Sequence, residues 1–102
     1  MDKLRALEYF VAAAHEKSFS GAARRLEVSV TAIAKLVAAL EKTLGVLLFE
    51  RSSHGLTLTA AGGSYLDACR PALAQLTEAD EQTRASVARA PGTVVVGVLA
   101  RL

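Results

Sequence analysis

Apolar residues in the first part of the chain recur at helical spacing. From Leu4 they return at Leu7, Phe10, Val11 and Ala14, one face of a helix that Asp2 can cap, which predicts a helix over about residues 3–16. Lys17 and Ser18 interrupt the pattern, Phe19 reads as a buried anchor, and Ser20 is the expected cap of a second helix ending at Leu26. Three residues turn the chain and Ser29 caps again. Ala32, Ile33, Val37, Leu40 and Leu44 then form the inner stripe of a third helix that Gly45 ends. Two amphipathic helices joined by so tight a turn, SFSGAARRLEVSVTAIAKLVAALE, read as a helix-turn-helix. Its expected core is Ala22, Ala23, Leu26, Val28, Ile33 and Val37, because small alanines let two helices cross closely.

The period changes after Gly45. In VLLFERSSHGLTLT two β-compatible runs flank Ser52, Ser53, His54 and Gly55, and Leu56 and Leu58 alternate with Thr57 and Thr59, which predicts a hairpin, or wing. Thr59 is placed to cap the longest helix, over about residues 60–89. Gly62 and Gly63 weaken its first turn, and Pro71 lies inside it. A proline in a helix interior costs about 3 kcal/mol, so a kink or break is expected near Arg70. Leu66, Cys69, Leu73, Leu76, Asp80, Thr83 and Val87 follow alternating steps of three and four, a coiled-coil seam degraded after Leu76. The small domain offers that stripe nothing to pack on, so a second copy of the helix is its expected partner. Ala90, Pro91 and Gly92 end the helix, and TVVVGVLARL reads as one buried strand. A single strand is not a domain, so the chain is expected to stop just inside a second one. The expected fold is mainly α: a winged helix-turn-helix of three helices and a two-stranded wing over residues 1–62, a dimerising linker helix over 63–90, and the start of a truncated domain over 91–102.

Composition narrows the function classes. The 102 residues are 52% hydrophobic, enough for one small folded domain, and 12 Lys/Arg against 10 Asp/Glu give a net charge of only +2. Residues 1–62 carry eight basic and six acidic side chains and residues 63–102 four of each, so the excess belongs to the front half. This permits nucleic-acid binding without requiring it. The start, MDKLRALEYF, has no signal-peptide character, and no apolar run approaches the roughly 20 residues that span a bilayer, so a cytoplasmic protein without membrane partners is expected. Cys69 stands alone and reads as a buried thiol; His15 and His54 are too isolated for a metal site. No phosphate loop, paired-His motif or Ser-centred elbow is present, and an enzyme is not expected.

Taken together, SFSGAARRL before the turn, LE with LG four residues apart, LFER before the wing and LTxxG after it resemble the amino-terminal region of LysR-type transcriptional regulators, over nearly all of residues 1–66. The resemblance implies double-stranded DNA as partner, with the helix beginning near Val30 reading a major groove. It places Ser29, Val30, Thr31, Ala34 and Lys35 at the DNA, with Arg51, Ser52, Ser53 and His54 of the wing against the backbone or a minor groove. It also implies a homodimer through Leu66, Cys69, Leu73, Leu76, Thr83 and Val87 of antiparallel linker helices, with a tetramer open at full length. No cofactor is expected for this stretch; a small-molecule effector belongs to the following domain. Many members of the family carry Gln-Pro after the capping serine and Ser-Arg four residues on, where this chain has Val30, Thr31, Ala34 and Lys35. Val30 cannot make the paired hydrogen bonds that Gln makes to adenine, so Val30 and Ala34 are expected against thymine methyl groups, with Lys35 as the main polar contact.

Two readings stay open at this level. Arg24, Arg25 and Lys42 are either a solvated face or phosphate contacts. The apolar outer positions Val30, Ala34 and Leu36 also suit a winged-helix module that binds protein or only dimerises, without reading DNA.

Overall fold

Asp2, Ser18 and Ser29 each stand in extended backbone just before a helix and each accepts a backbone N–H from three residues on. The donors are Arg5 (3.1 Å), Gly21 (3.0 Å) and Ala32 (3.0 Å). These caps satisfy otherwise orphaned donors and set the starts of three helices in a computed structural model that describes residues 1–89. They are α1 (Lys3–Glu16), α2 (Phe19–Leu26) and α3 (Val30–Leu44); β1 (Phe49–Ser52), β2 (Gly55–Leu58) and α4 (Ala60–Arg89) follow. The cap of α2 is therefore Ser18, not Ser20, which lies exposed within the helix, and Phe19 is a half-buried first residue. Ser18 wins because it is the residue in extended backbone with its hydroxyl aimed at the first turn. Lys17, Glu27 and Gly45 end the three helices in the left-handed region, with φ of 55°, 58° and 74°. Their N–H groups return to the carbonyls of Ala13, of Ala23 and Arg24, and of Glu41.

α1 packs on α2, α3 and β2, and α2 packs on α3. The buried face of α1 is Ala6, Tyr9, Phe10, Ala12 and Ala13; of the expected stripe Phe10 lies fully within it, while Leu7, Val11 and Ala14 are half-buried and Leu4 is 48% exposed. Small alanines suit close helix contacts, so a stripe read from side-chain size misses Ala6, Ala12 and Ala13. Ala22, Ala23, Ile33 and Val37 are buried as expected, with Leu26 and Val28 packed at the edge. Phe10 is fully buried at the centre, its ring centroid 5.4 Å from Phe49 and 5.6 Å from Tyr65. Burial of such a side chain contributes about 1.5–3 kcal/mol.

The two strands pair antiparallel from Phe49↔Leu58 to Ser52↔Gly55, leaving Ser53 and His54 as a two-residue tip. Thr59 then joins the wing to α4. Its hydroxyl donates to the Leu47 carbonyl (2.6 Å) and accepts from the Gly62 N–H (2.9 Å), and its own N–H donates to Leu48 O (3.0 Å). A Cβ on Gly62 would collide with that same Leu48 carbonyl, so the glycine marks a close approach of helix to strand.

α4 runs unbroken through Pro71. Of the expected kink or break, the break is absent; Asp67, whose carbonyl the proline ring leaves without an intrahelical donor, and Pro71 itself are both exposed, where solvent can satisfy that group. The chain divides into a compact unit Met1–Pro71 and a second beginning at Ala72. Leu66 and Cys69, expected on the dimer seam, lie buried within the first unit. The beginning of α4 brings Tyr65 onto Phe10, so this part of the stripe is covered by its own domain. Burial pushes the Tyr65 phenol and the Cys69 thiol above their ordinary ranges; the neighbouring Cys69 raises Tyr65 further, while the Tyr65 hydrogen bond and Lys3 draw Cys69 back in part. In the second unit Leu73 and Val87 are half-buried, and Leu76 and Thr83 are exposed. The helix stop at Ala90–Gly92 and the strand and domain expected over 91–102 lie outside the described residues. Among those described, no helix is long and apolar enough to cross a membrane.

Candidate nucleic-acid interface

The inner face of α3 is fixed by Ile33, Val37 and Leu40, all 2% exposed or less. A helix so seated must present the opposite side outward. Along that side Thr31, Lys35, Ala38 and Lys42 are all exposed, at steps of four, three and four, one row running the length of the helix. Val30 is 44% exposed beside the amino end of the row, and Ala34 is half-buried at its margin. Ser29 is exposed, but its hydroxyl oxygen already accepts the Ala32 N–H. Leu36 is corrected: it packs against the core and is not an outer position. Its place is rotated well away from the outward row, toward the buried side.

Lys35 and Lys42 form no ion pair among the described residues, and neither does Arg24. Arg25 instead reaches Glu16 at 3.4 Å, an exposed pair worth about 0–1 kcal/mol. The sequence left Arg24, Arg25 and Lys42 undecided together; the structure separates the paired Arg25 from the two unpaired cations. Lys42 shares a row with Lys35, a relation that its spacing of seven carries.

On the wing, Arg51, Ser52, Ser53 and His54 are all exposed. The Arg51 guanidinium lies over the Phe19 ring, 4.7 Å from its centroid, so β1 rests on the first residue of α2. Ser52 accepts the His54 N–H at 3.1 Å and shapes the tip. β2 is held to the turn between α1 and α2 by the Leu56 N–H, which donates to Lys17 O at 3.2 Å. Gly55, with φ of 104°, lies against that same carbonyl, where a Cβ would come within 2.9 Å.

Glu41 entered the sequence reading only as part of LE in the LE…LG spacing, with no role of its own. One carboxylate oxygen, Oε2, accepts the N–H groups of Leu48 (2.7 Å) and Phe49 (3.3 Å), at the entry to β1. Its main-chain carbonyl accepts from Gly45 (2.8 Å) and Val46 (3.3 Å) at the end of α3. The LE…LG spacing is thereby accounted for: Glu41 and Gly45 close one helix end, and the glutamate reaches on to the wing. Among the described residues no cluster of three His, Cys, Asp or Glu side chains could hold a metal.

Residues 4–63 match the family described as bacterial regulatory helix-turn-helix protein, lysR family. The chain is 41% identical over 97 residues to the HTH-type transcriptional regulator TfdS of Cupriavidus pinatubonensis (strain JMP 134 / LMG 1197), covering 95% of this chain and 33% of that protein. It is 47% identical over 68 residues to ClcR of Pseudomonas putida, covering 67% of this chain and 23% of ClcR. The chain thus spans about a third or less of the length of these curated relatives. Among solved structures it is similar to the CbnR DNA-binding domain in complex with DNA, with TM-score 0.74 and 41% identity over 80% of this chain and 94% of that one. It is also similar to the BenM DNA-binding domain with catB site 1 DNA, with TM-score 0.81 and 30% identity over 89% of this chain and all of that one.

Proposed function

The chain belongs to the lysR family of bacterial regulatory helix-turn-helix proteins, and from that premise we propose that its first unit reads operator DNA for a transcriptional regulator. The observation that carries this is the outward row of α3: Thr31, Lys35, Ala38 and Lys42 are exposed on a helix whose other face is locked into the core. The amino end of the row enters the major groove, with Val30 and Ala34 against thymine methyl groups and Thr31 and Lys35 making the polar contacts. Arg51, Ser52, Ser53 and His54 of the wing meet the neighbouring backbone or minor groove, and Ser29 stands at a phosphate while capping the helix. Lys42 and Arg24, unpaired among the described residues, add phosphate contacts.

Two copies bind together, joined through the second unit, where Leu73, Leu76, Thr83 and Val87 remain the contact positions. The role needs no catalytic step, and it belongs in the bacterial cytoplasm, where the DNA is. The inward turn of Leu36 weakens the alternative of a protein-binding module, because the outward row is then polar or small apart from Val30 at its edge. Selection of duplexes from a random pool, followed by mobility shifts at increasing salt, tests the reading. DNA binding weakens steeply as phosphate contacts release counterions, whereas an apolar protein contact changes little. Enriched sequences lacking thymine opposite α3 would remove the assignment of Val30 and Ala34.

A further inference from the structure

The geometry points to Glu41 as a positioning residue for DNA binding: it sets the wing against the reading helix without touching DNA itself. The inference rests on the DNA-binding reading of α3 and the wing. Glu41 lies one helical turn before the end of α3, and its Oε2 holds the Leu48 and Phe49 N–H groups at 2.7 and 3.3 Å. Leu48 is fully buried and Phe49 nearly so, so without the carboxylate two donors at the entry to β1 lose their partner. Both groups Glu41 binds belong to the segment that also anchors α4, since Thr59 N–H donates to Leu48 O and the Thr59 hydroxyl to Leu47 O.

The carboxylate is otherwise poorly placed. It sits near a helix C-terminus, where the dipole disfavours negative charge, and close to a surface proposed to meet phosphates. The two N–H groups it satisfies account for its presence. Further attachments of the wing, Leu56 N–H to Lys17 O, Arg51 on Phe19, and Phe49 against Phe10 and Phe19, join it to α1 and α2. Glu41 is the side chain that hydrogen-bonds it directly to α3. Removing Glu41 leaves the wing attached but frees its angle to the reading helix, so the two elements no longer reach adjacent grooves together.

The test uses the full 102-residue chain and a duplex selected from a random pool by the unsubstituted protein. Hydroxyl-radical footprints and salt-dependent affinities are compared for Glu41→Ala, Glu41→Asp and Glu41→Gln. Glu41→Ala and Glu41→Asp, the second too short to reach, are expected to lose the flanking protection made by the wing while keeping the central protection made by α3. Affinity falls by about tenfold, and the slope of log affinity against log salt falls by about one for each phosphate that the wing no longer neutralises. Glu41→Gln, whose side-chain carbonyl still accepts both N–H groups, keeps the flanking protection. Should Glu41→Ala fail to fold, the Asp and Gln pair decides. The assignment is overturned when the variants keep both protections, or lose both together in step with a lower unfolding midpoint. Failure of the unsubstituted chain to select any duplex instead overturns the DNA-binding reading, and the assignment with it.

Discussion

On its inner face α3 buries Ile33, Val37 and Leu40; on its outer face it leaves Thr31, Lys35, Ala38 and Lys42 in solvent. The inner residues are chosen by their neighbours, since a close-packed interior penalises a change of even one methylene. The outer residues answer to nothing in the fold: the two lysines make no ion pair among the described residues, and the row is polar or small. One helix thus carries two independent sets of instructions, where it lies and what it touches. The boundary between them passes through Ser29, which caps the helix and stands on the exposed side, and through Glu41, which ties the helix to the wing.

Substitutions should separate the two sets. Phe10→Ala, emptying the centre of the core against which α3 is seated, is expected to lower the unfolding free energy by about 3–5 kcal/mol in urea titrations. Ile33→Ala follows at about 2–5 kcal/mol, and a decrease below about 1 kcal/mol would show that the inner face is not the packed surface described. Gly62→Ala forces a Cβ into the Leu48 carbonyl and should cost about 1–3 kcal/mol, read as a lower melting temperature. Ser29→Ala, at the boundary, should cost about 1 kcal/mol through removal of the cap and weaken DNA binding as well. Lys35→Ala should change stability by less than about 0.5 kcal/mol while weakening DNA binding. A destabilisation by Lys35→Ala equal to that of Ser29→Ala would erase the distinction between the faces.

The inner set was legible in the sequence because packing leaves a period: Ile33, Val37 and Leu40 announce themselves, and Ser29 and Gly45 bracket α3 at the expected residues. What the period misjudged was size. The stripe from Leu4 to Ala14 followed the bulky side chains, whereas α1 also buries Ala6, Ala12 and Ala13, small residues that suit a helix packed on α2 and α3. The same weakness placed Leu36 outside, although it packs against the core, and did not reveal that Leu66 and Cys69 are buried within their own unit. Spacing alone does not say what lies opposite a residue. For the proposed site, Arg51–His54 and the amino end of α3 were chosen from turn chemistry and family likeness, and the structure leaves Arg51–His54 exposed. The Glu41 clamp was not legible, because a glutamate late in a helix has no local pattern that reveals a bond to backbone seven residues on.

The buried Cys69 gives the smallest and most specific check on the packing at the start of α4. With its thiol held in the protonated form by burial, it should resist alkylation in the native chain and react on unfolding. Rapid native labelling would place the start of α4 away from the domain.

The central claim, that the outer row of α3 reads DNA independently of the fold, is tested most directly by one paired measurement. Affinity for a selected duplex across a salt series and the unfolding midpoint are determined for the unsubstituted chain and for a variant combining Thr31→Ala, Lys35→Ala and Lys42→Ala. The account predicts a large drop in affinity with a reduced salt slope, at a midpoint close to that of the unsubstituted chain. Unchanged affinity and slope, or a drop that only follows a collapse of stability, would contradict it.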